Sequence, residues 1–215
     1  MRIWRRALAI LFFGVIICNT VAVRVKASFI GTAVLFHSND EWSGDASFIH
    51  GIGTSLSNVN FNVIEAQRPS TIYAFNTNLQ SSDVFYLRCH GLASGGVIQL
   101  SSGVNYNSGN LPASLSNDIV FISICYGAKN NATYGNLCSN MVTAGAGTVF
   151  SYSDTVYVAE ARYLEQQFFT QAIDNHRNML VSYSLARNAT ASYYGINSTA
   201  QSSFCMYGNS SAYIY

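Results

Sequence analysis

The sequence predicts an α/β fold, a three-layer sandwich in which a mostly parallel sheet is covered by helices. Short apolar runs alternate along the chain with amphipathic stretches, which is the pattern of strand–helix units. The runs are almost continuously apolar, as expected for strands that are buried on both faces. A stretch rich in Gly, Asn and Ser at residues 95–112 interrupts this alternation and predicts a small β-hairpin insertion.

Five apolar runs supply the strands of the predicted sheet, at residues 32–38, 60–66, 83–89, 119–125 and 148–151. The predicted helices cover residues 43–56, a stretch that opens near Pro69 and Ser70, and residues 160–186 with a break near Asp174 and Asn175. Ser43 and Asp45 are the cap candidates of the first helix. The tail from Asn188 has no strong period, so it predicts either added strands or loops.

The composition restricts what the chain can bind. Of 215 residues, 49% are hydrophobic, enough for the core of one domain, and only 10% are charged. Lysine is almost absent after residue 26 and no RNA-binding signature occurs, which argues against nucleic acid as a partner. No Cys or His pair has zinc-ligand spacing, and no phosphate-binding glycine loop follows a strand, so no metal or cofactor is expected.

The first 27 residues resemble a signal peptide. Three arginines precede an apolar run at residues 7–23, and small residues at 25–27 offer a cleavage site near Ala27. The alternative is an uncleaved membrane anchor, since such a run is at the lower limit for spanning. Residues 28–215 are then expected to form a single secreted or cell-surface domain, with six basic against ten acidic residues and a formal charge of −4.

Two predicted strands end in a reactive side chain followed by glycine. The segment DVFYLRCHG ends in His90 and Gly91, and the segment DIVFISICYGA carries Cys125 and Gly127. Functional groups of a parallel sheet gather at the carboxyl ends of its strands, so we expect His90 and Cys125 to lie close together. His37 also ends a predicted strand and is the rival base.

A histidine beside a cysteine indicates nucleophilic catalysis. The imidazole can take the thiol proton, and the thiolate can attack an acyl carbon. The N–H groups of Gly91 and Cys125 are candidates for an oxyanion hole, and Gly127 permits a tight turn after the nucleophile. The reaction class is acyl transfer, with amide hydrolysis the foremost member. His50 and His176 lie in helical patterns, where a solvated or core role is expected.

The order strand–His–Gly, hairpin, strand–Cys–x–Gly resembles the caspase-like cysteine peptidases over about residues 30–185. Within that class it is most similar to the clostripain/gingipain-like branch, where a Gly-Ala-Gly-like run precedes the fifth strand and a long helix follows, as around GAGTVFSYSD here. The resemblance implies an exported cysteine endopeptidase that acts on proteins or peptides, with His90 as base and Cys125 as nucleophile.

The same resemblance implies a specificity. Residues after the first and fifth strands commonly shape the P1 pocket of this class, and Asp40, Glu41 and Asp154 occupy those places. We therefore expect substrates with Arg or Lys at P1.

Two other functions compete with the peptidase. A catalytically silent domain of the same fold could serve as a cell-surface binding module, because Ile124 stands before the nucleophile where a small residue is usual. A disulfide-linked structural domain is the third function, and it requires Cys125 or Cys89 to be oxidised. Among the four cysteines after residue 27, Cys138 and Cys205 are the more natural bridge. Four N-x-S/T sequons fit export and predict a glycoprotein, at Asn131, Asn188, Asn197 and Asn209.

Overall fold

The computed structural model describes residues 29–38 and 42–214, which build two sheets. The six-stranded sheet has the order β2-β1-β3-β7-β8-β9, and a three-stranded sheet has the order β4-β5-β6. The strands are β1 (Gly31–His37), β2 (Phe61–Gln67), β3 (Val84–Arg88), β4 (His90–Gly91), β5 (Ile98–Ser101), β6 (Val104–Tyr106), β7 (Ile119–Ser123), β8 (Thr148–Tyr152) and β9 (Phe204–Gly208).

Helices connect the parallel strands and cover both faces of the larger sheet. They are α1 (Asp45–Asn58), α2 (Ile72–Gln80), α3 (Leu137–Thr143), α4 (Val158–Phe169), α5 (Met179–Tyr194) and α6 (Thr199–Ser203). A π-helical turn, Thr170–Asp174, extends α4. β1, β2, β3, β7 and β8 pair in parallel, and β9 is antiparallel to β8. The predicted mostly parallel α/β sandwich is confirmed.

Alternate residues of the strands enter two separate cores. In β3, Val84 and Tyr86 face a core shared with α1, α4 and α5, whereas Phe85 and Leu87 face a core shared with α2, α3 and the hairpin. This alternation follows from the period of two along a strand. It explains why β3, β7 and β8 are continuous apolar runs, since both of their faces are buried, whereas the edge strand β2 is largely exposed.

The small sheet contains more than the predicted hairpin. β5 and β6 pair antiparallel, as expected for the stretch at 95–112, but β4 adds a third strand. His90 lies opposite Gln99 and Gly91 opposite Ile98. The residue that was expected to end a strand of the main sheet therefore begins a strand of the insertion.

The carboxyl-terminal third differs most from the prediction. The break near Asp174 is confirmed, but the following helix continues to Tyr194, beyond the predicted end at 186. Of the two alternatives for the tail, an added strand is correct, because β9 extends the main sheet. The short helix α3 was not predicted; its signal is Asn136, whose side chain accepts the Ser139 N–H as an N-cap.

The expected signal peptide and its cleavage site lie outside the described residues. Among the residues that are described, no helix is long and apolar enough to cross a bilayer.

Candidate active site

The two reactive residues follow neighbouring strands of the main sheet. β3 and β7 are parallel partners, and Arg88 lies beside Ser123 at their carboxyl ends. His90 and Cys125 each come two residues later. Both line a narrow cleft of about 30 Å³ at this edge of the sheet, as the parallel-sheet argument expects.

Both apolar and polar side chains line the cleft. Trp42 stands before α1, and α4 contributes Val158 and Ala161. The remaining lining residues are Arg88, Cys89, His90, Ser123, Ile124, Cys125 and Val156. Sequence reasoning missed Trp42 and the α4 residues because they come from parts of the chain that carry no reactive group.

The imidazole of His90 is exposed and packs against Trp42. The two ring centroids are 4.8 Å apart with an interplanar angle of 66°, an edge-to-face contact. The Trp42 carbonyl is itself fixed, because it accepts hydrogen bonds from the Asp45 N–H at 3.2 Å and from Arg162 Nη2 at 3.4 Å.

Cys125 is half-buried at the start of a tight turn. The Val156 N–H lies 3.4 Å from the Cys125 Sγ, which places a donor beside the sulfur. The Cys125 N–H has no acceptor among the residues that the structure describes. The next residue, Tyr126, has a φ of 61°, and its N–H donates to the Asp154 carbonyl at 3.2 Å.

The expected role of Gly127 needs a correction. Tyr126, and not Gly127, carries the positive φ that turns the chain. A side chain at 127 is excluded for another reason, because its Cβ would overlap the Ser151 hydroxyl. That hydroxyl is held by a hydrogen bond of 2.6 Å to the Ile122 carbonyl.

Gly91 lies directly against the backbone of Cys125. A Cβ at this position would overlap the carbonyl oxygen of Cys125 and lie 3.0 Å from its carbonyl carbon. The His90 and Cys125 segments therefore approach each other as closely as their backbones allow.

A buried ionic network lies beneath the cleft. Arg88 and Glu165 are almost fully buried and form an ion pair, with Asp45 as a second partner of Arg88. Burial lowers the pKa of Arg88, but the negative charges of Glu165 and Asp45 and the Tyr86 hydroxyl together outweigh it, so the pKa lies above its usual value. Burial also raises the pKa of Tyr86, whose hydroxyl donates to Glu165. An arginine inside the apolar segment FYLRC is the sequence signal for this network.

Of the carboxylates predicted for the P1 pocket, Asp154 is not among the described residues that line the cleft. Asp40 and Glu41 lie outside the described residues. Asp154 is exposed, and its carboxylate accepts the Thr155 N–H at 2.7 Å.

Other predicted groups are distributed through the fold. Ile124 is buried, and its side chain packs in the core on the α2 and α3 side of the sheet. Cys125, Cys138 and Cys205 are free thiols, so the bridge expected between Cys138 and Cys205 is not formed. Cys89 and Cys138 are buried, and Cys125 and Cys205 are half-buried. Burial raises the pKa of the Cys138 thiol well above its usual value. The described residues contain no group of three His, Cys, Asp or Glu side chains placed to hold a metal.

Comparison with known proteins identifies the fold. No protein-family model and no curated protein sequence matches the chain. The crystal structure of gingipain R, an Arg-specific cysteine proteinase, superposes with a TM-score of 0.63 at 12% identity. The match covers 85% of this chain and 46% of gingipain R, so the chain spans less than half of that protein.

Two further structures extend the likeness beyond the gingipains. The Saccharomyces cerevisiae separase, in complex with securin, gives a TM-score of 0.57 at 14% identity over 83% of this chain and 12% of the separase. A pro-sf-caspase-1 structure gives 0.56 at 12% identity over 86% and 93% of the two chains. The fold of this chain is therefore that of the caspase-like cysteine peptidases.

Proposed function

We propose that the protein is an exported cysteine endopeptidase that hydrolyses peptide bonds with His90 and Cys125. The observation that carries the proposal is that these two side chains line one cleft at the carboxyl edge of a caspase-like sheet. The backbone contact between Gly91 and Cys125 supports the proposal, because it shows that the segments carrying His90 and Cys125 lie close together.

The proposed reaction is acyl transfer through a thioester. His90 takes the Cys125 proton, and Sγ attacks the scissile carbonyl carbon. The N–H groups of Gly91 and Cys125 stabilise the oxyanion, and the amine leaves with the proton from His90. Water, deprotonated by His90, then attacks the thioester; the carboxylate product departs and Sγ is regenerated.

The core position of Ile124 bears on the silent binding module. Ile124 is the argument for that alternative, because it could crowd the nucleophile. Its side chain is buried in the core on the α2 and α3 side of the sheet, and it also contributes to the lining of the cleft. Turnover is the test that separates the two functions.

A preference for Arg or Lys at P1 is part of the proposal. It is supported by Asp40, Glu41 and Asp154 next to the ends of β1 and β8, and by the description of gingipain R as Arg-specific. The backbone of Asp154 lies beside the nucleophile, because its carbonyl accepts the Tyr126 N–H and the Val156 N–H, two residues on, lies 3.4 Å from the Cys125 Sγ.

Export as a glycoprotein is supported by the amino-terminal segment and by three sequons. Asn188, Asn197 and Asn209 are exposed. Asn131 is 8% exposed, and its Nδ2 donates to the carbonyls of Ser94 and Gly95, so we exclude it as a glycan site in the folded protein.

Thiol labelling tests the dyad independently of any substrate. Iodoacetamide should alkylate Cys125 faster than the other three cysteines at neutral pH, and His90→Ala should slow that reaction. His37→Ala is the matched control, because His37 is the last residue of the parallel strand β1. Among the described residues its Nδ1 forms one hydrogen bond, of 2.7 Å, with the neighbouring Ser38 carbonyl. Equal and slow labelling of all four thiols contradicts the proposal, and slowing by His37→Ala instead identifies the rival base.

A further inference from the structure

We propose that Glu165 is a positioning residue that sets the relative placement of His90 and Cys125. The inference rests on the proposed function, since it assigns a part of the same site. Glu165 lies in the middle of α4, has no exposed surface, and does not line the cleft. Its carboxylate joins three neighbouring strands at the ends that carry the site.

Four side chains donate hydrogen bonds to this carboxylate. Oε1 accepts from the Ser123 hydroxyl at 2.6 Å and from the Tyr152 hydroxyl at 2.8 Å. Oε2 accepts from the Tyr86 hydroxyl and from Arg88 Nη2, both at 2.5 Å. Since all four lone-pair directions are used and one partner is a cation, the carboxylate is held in one orientation.

The positions of the donors connect Glu165 to the reactive residues. Arg88 stands two residues before His90, and Ser123 stands two residues before Cys125. Tyr152 stands two residues before Asp154, whose carbonyl accepts the N–H of the residue after the nucleophile. One carboxylate therefore fixes the ends of β3, β7 and β8, which are adjacent in the sheet.

A second branch of the hydrogen-bond network leads from Arg88 through Asp45 to Trp42, which packs on the His90 imidazole. Arg88 also pairs with Asp45, Nε to Oδ1 at 3.4 Å, and Asp45 accepts from Arg162 Nη2 at 3.0 Å. The Asp45 N–H and Arg162 Nη2 both donate to the carbonyl of Trp42, whose ring packs on His90. Asp45 was expected to cap α1, but its Oδ2 accepts from the Ser38 N–H and hydroxyl at the end of β1.

The physical consequence is that one buried carboxylate fixes the positions of both His90 and Cys125. A buried pair with satisfied hydrogen bonds has one arrangement, because any displacement leaves a charge without a partner in a low-dielectric core. Loss of the Glu165 charge frees Arg88 to follow Asp45 alone, which shifts the β3 end relative to the β7 end. A misplacement of about 1 Å between reacting groups costs roughly a hundredfold in rate.

The test compares Glu165→Gln with a control at the amino-terminal end of β7, the strand whose carboxyl end Glu165 holds through Ser123. Asn117 is buried before β7 and donates to the carbonyls of Leu79 and Ser82 at 2.7 and 2.6 Å, so Asn117→Ala also removes a buried polar anchor. Both full-length variants are assayed well below their melting temperatures. The readouts are kcat, normalised to the amount of alkylatable Cys125, the KM, and the rate constant for alkylation of Cys125 by iodoacetamide.

We expect Glu165→Gln to lower kcat and the alkylation rate at least about tenfold with KM within about twofold. Asn117→Ala should leave both rates within about twofold per folded molecule, whatever its melting temperature. In a His90→Ala background, Glu165→Gln should have no further effect on alkylation, because it acts through the His–Cys arrangement. Equal losses in the two variants, wild-type rates in Glu165→Gln, or additivity with His90→Ala would each overturn the proposal.

A second pair of variants covers the case in which Glu165→Gln does not fold. Tyr152→Phe removes one donor to Glu165, whereas Tyr106→Phe removes an equally buried hydroxyl whose 2.8 Å bond goes to Asn76 on the other side of the sheet. Only Tyr152→Phe should slow alkylation of Cys125, and equal rates in the two variants contradict the proposal. If wild type alkylates selectively but cleaves no peptide, the peptidase assignment fails while the alkylation comparison still decides the role of Glu165.

Discussion

Replacing Gly91 with alanine tests the closeness of the two reactive segments. The added Cβ would meet the carbonyl oxygen of Cys125 well inside 3.0 Å, a separation that β-carbons essentially never show. The atom that it meets is backbone, so no side-chain rotation can relieve the overlap. The His90 and Cys125 segments must therefore move apart.

The structure gives the size of the expected effect. Ordinary contact begins near 3.4 Å, and the Cys125 carbonyl carbon and the Ile124 Cβ would also be too close, at 3.0 and 3.2 Å. Overpacking of this kind costs about 1–3 kcal/mol of folding free energy. A separation of about 1 Å between base and nucleophile should lower the alkylation rate of Cys125 and the peptidase rate roughly a hundredfold.

The assay pairs Gly91→Ala with Gly51→Ala. Gly51 is exposed in α1 and a Cβ there meets nothing within 4 Å, so alanine should stabilise the protein by about 0.5–1 kcal/mol and leave both rates unchanged. Denaturant unfolding gives the free energies, and iodoacetamide labelling gives the rates. Wild-type stability and labelling in Gly91→Ala would refute the account of how the dyad is assembled.

Two further predictions concern specificity and pH. Asp154→Asn should reduce cleavage after Arg or Lys more than cleavage after neutral residues. The assay uses a library of fluorogenic peptides that differ at P1, and an unchanged P1 profile would refute the place of Asp154 in the P1 pocket. Burial raises the pKa of Glu160, but hydrogen bonds from the Ala200 N–H and the Ser198 and Thr199 hydroxyls outweigh it and bring the pKa below its usual value. The difference in unfolding free energy between wild type and Glu160→Gln should thus be fully present above about pH 4.3, the pKa of an unfolded glutamate. It should be lost as the pH falls through the pKa of Glu160 in the folded protein. Urea unfolding at a series of pH values measures this difference, and a difference that does not change with pH would contradict the prediction.

The sequence predicted those parts of the fold that local pattern determines. Apolar runs marked the parallel strands, most plainly β3, β7 and β8, whose residues are all buried. The edge strand β2 is largely exposed and keeps polar residues within its run. The shared location of His90 and Cys125 could be predicted because carboxyl ends of parallel strands meet at one edge. The hairpin was visible from its Gly and Asn residues.

The parts that were missed depend on contacts distant in sequence. Glu165 looks like an ordinary helical glutamate, and only the folded chain shows that Tyr86 and Ser123 converge on it from 79 and 42 residues away. Asp45 looks like a helix cap, yet the Ser38 hydroxyl and Arg162 engage its carboxylate. Trp42 has no chemical signature of a site, because its role is to pack on His90.

The measurement that tests the central claim most directly compares wild type with Cys125→Ala on a fluorogenic peptide library that carries every P1 residue, under reducing conditions. The account predicts turnover by wild type, greatest after Arg or Lys, and its loss in Cys125→Ala with an unchanged melting temperature. Turnover that survives in Cys125→Ala, or no turnover by folded wild type, would contradict it, and the second result would favour a silent caspase-like binding domain.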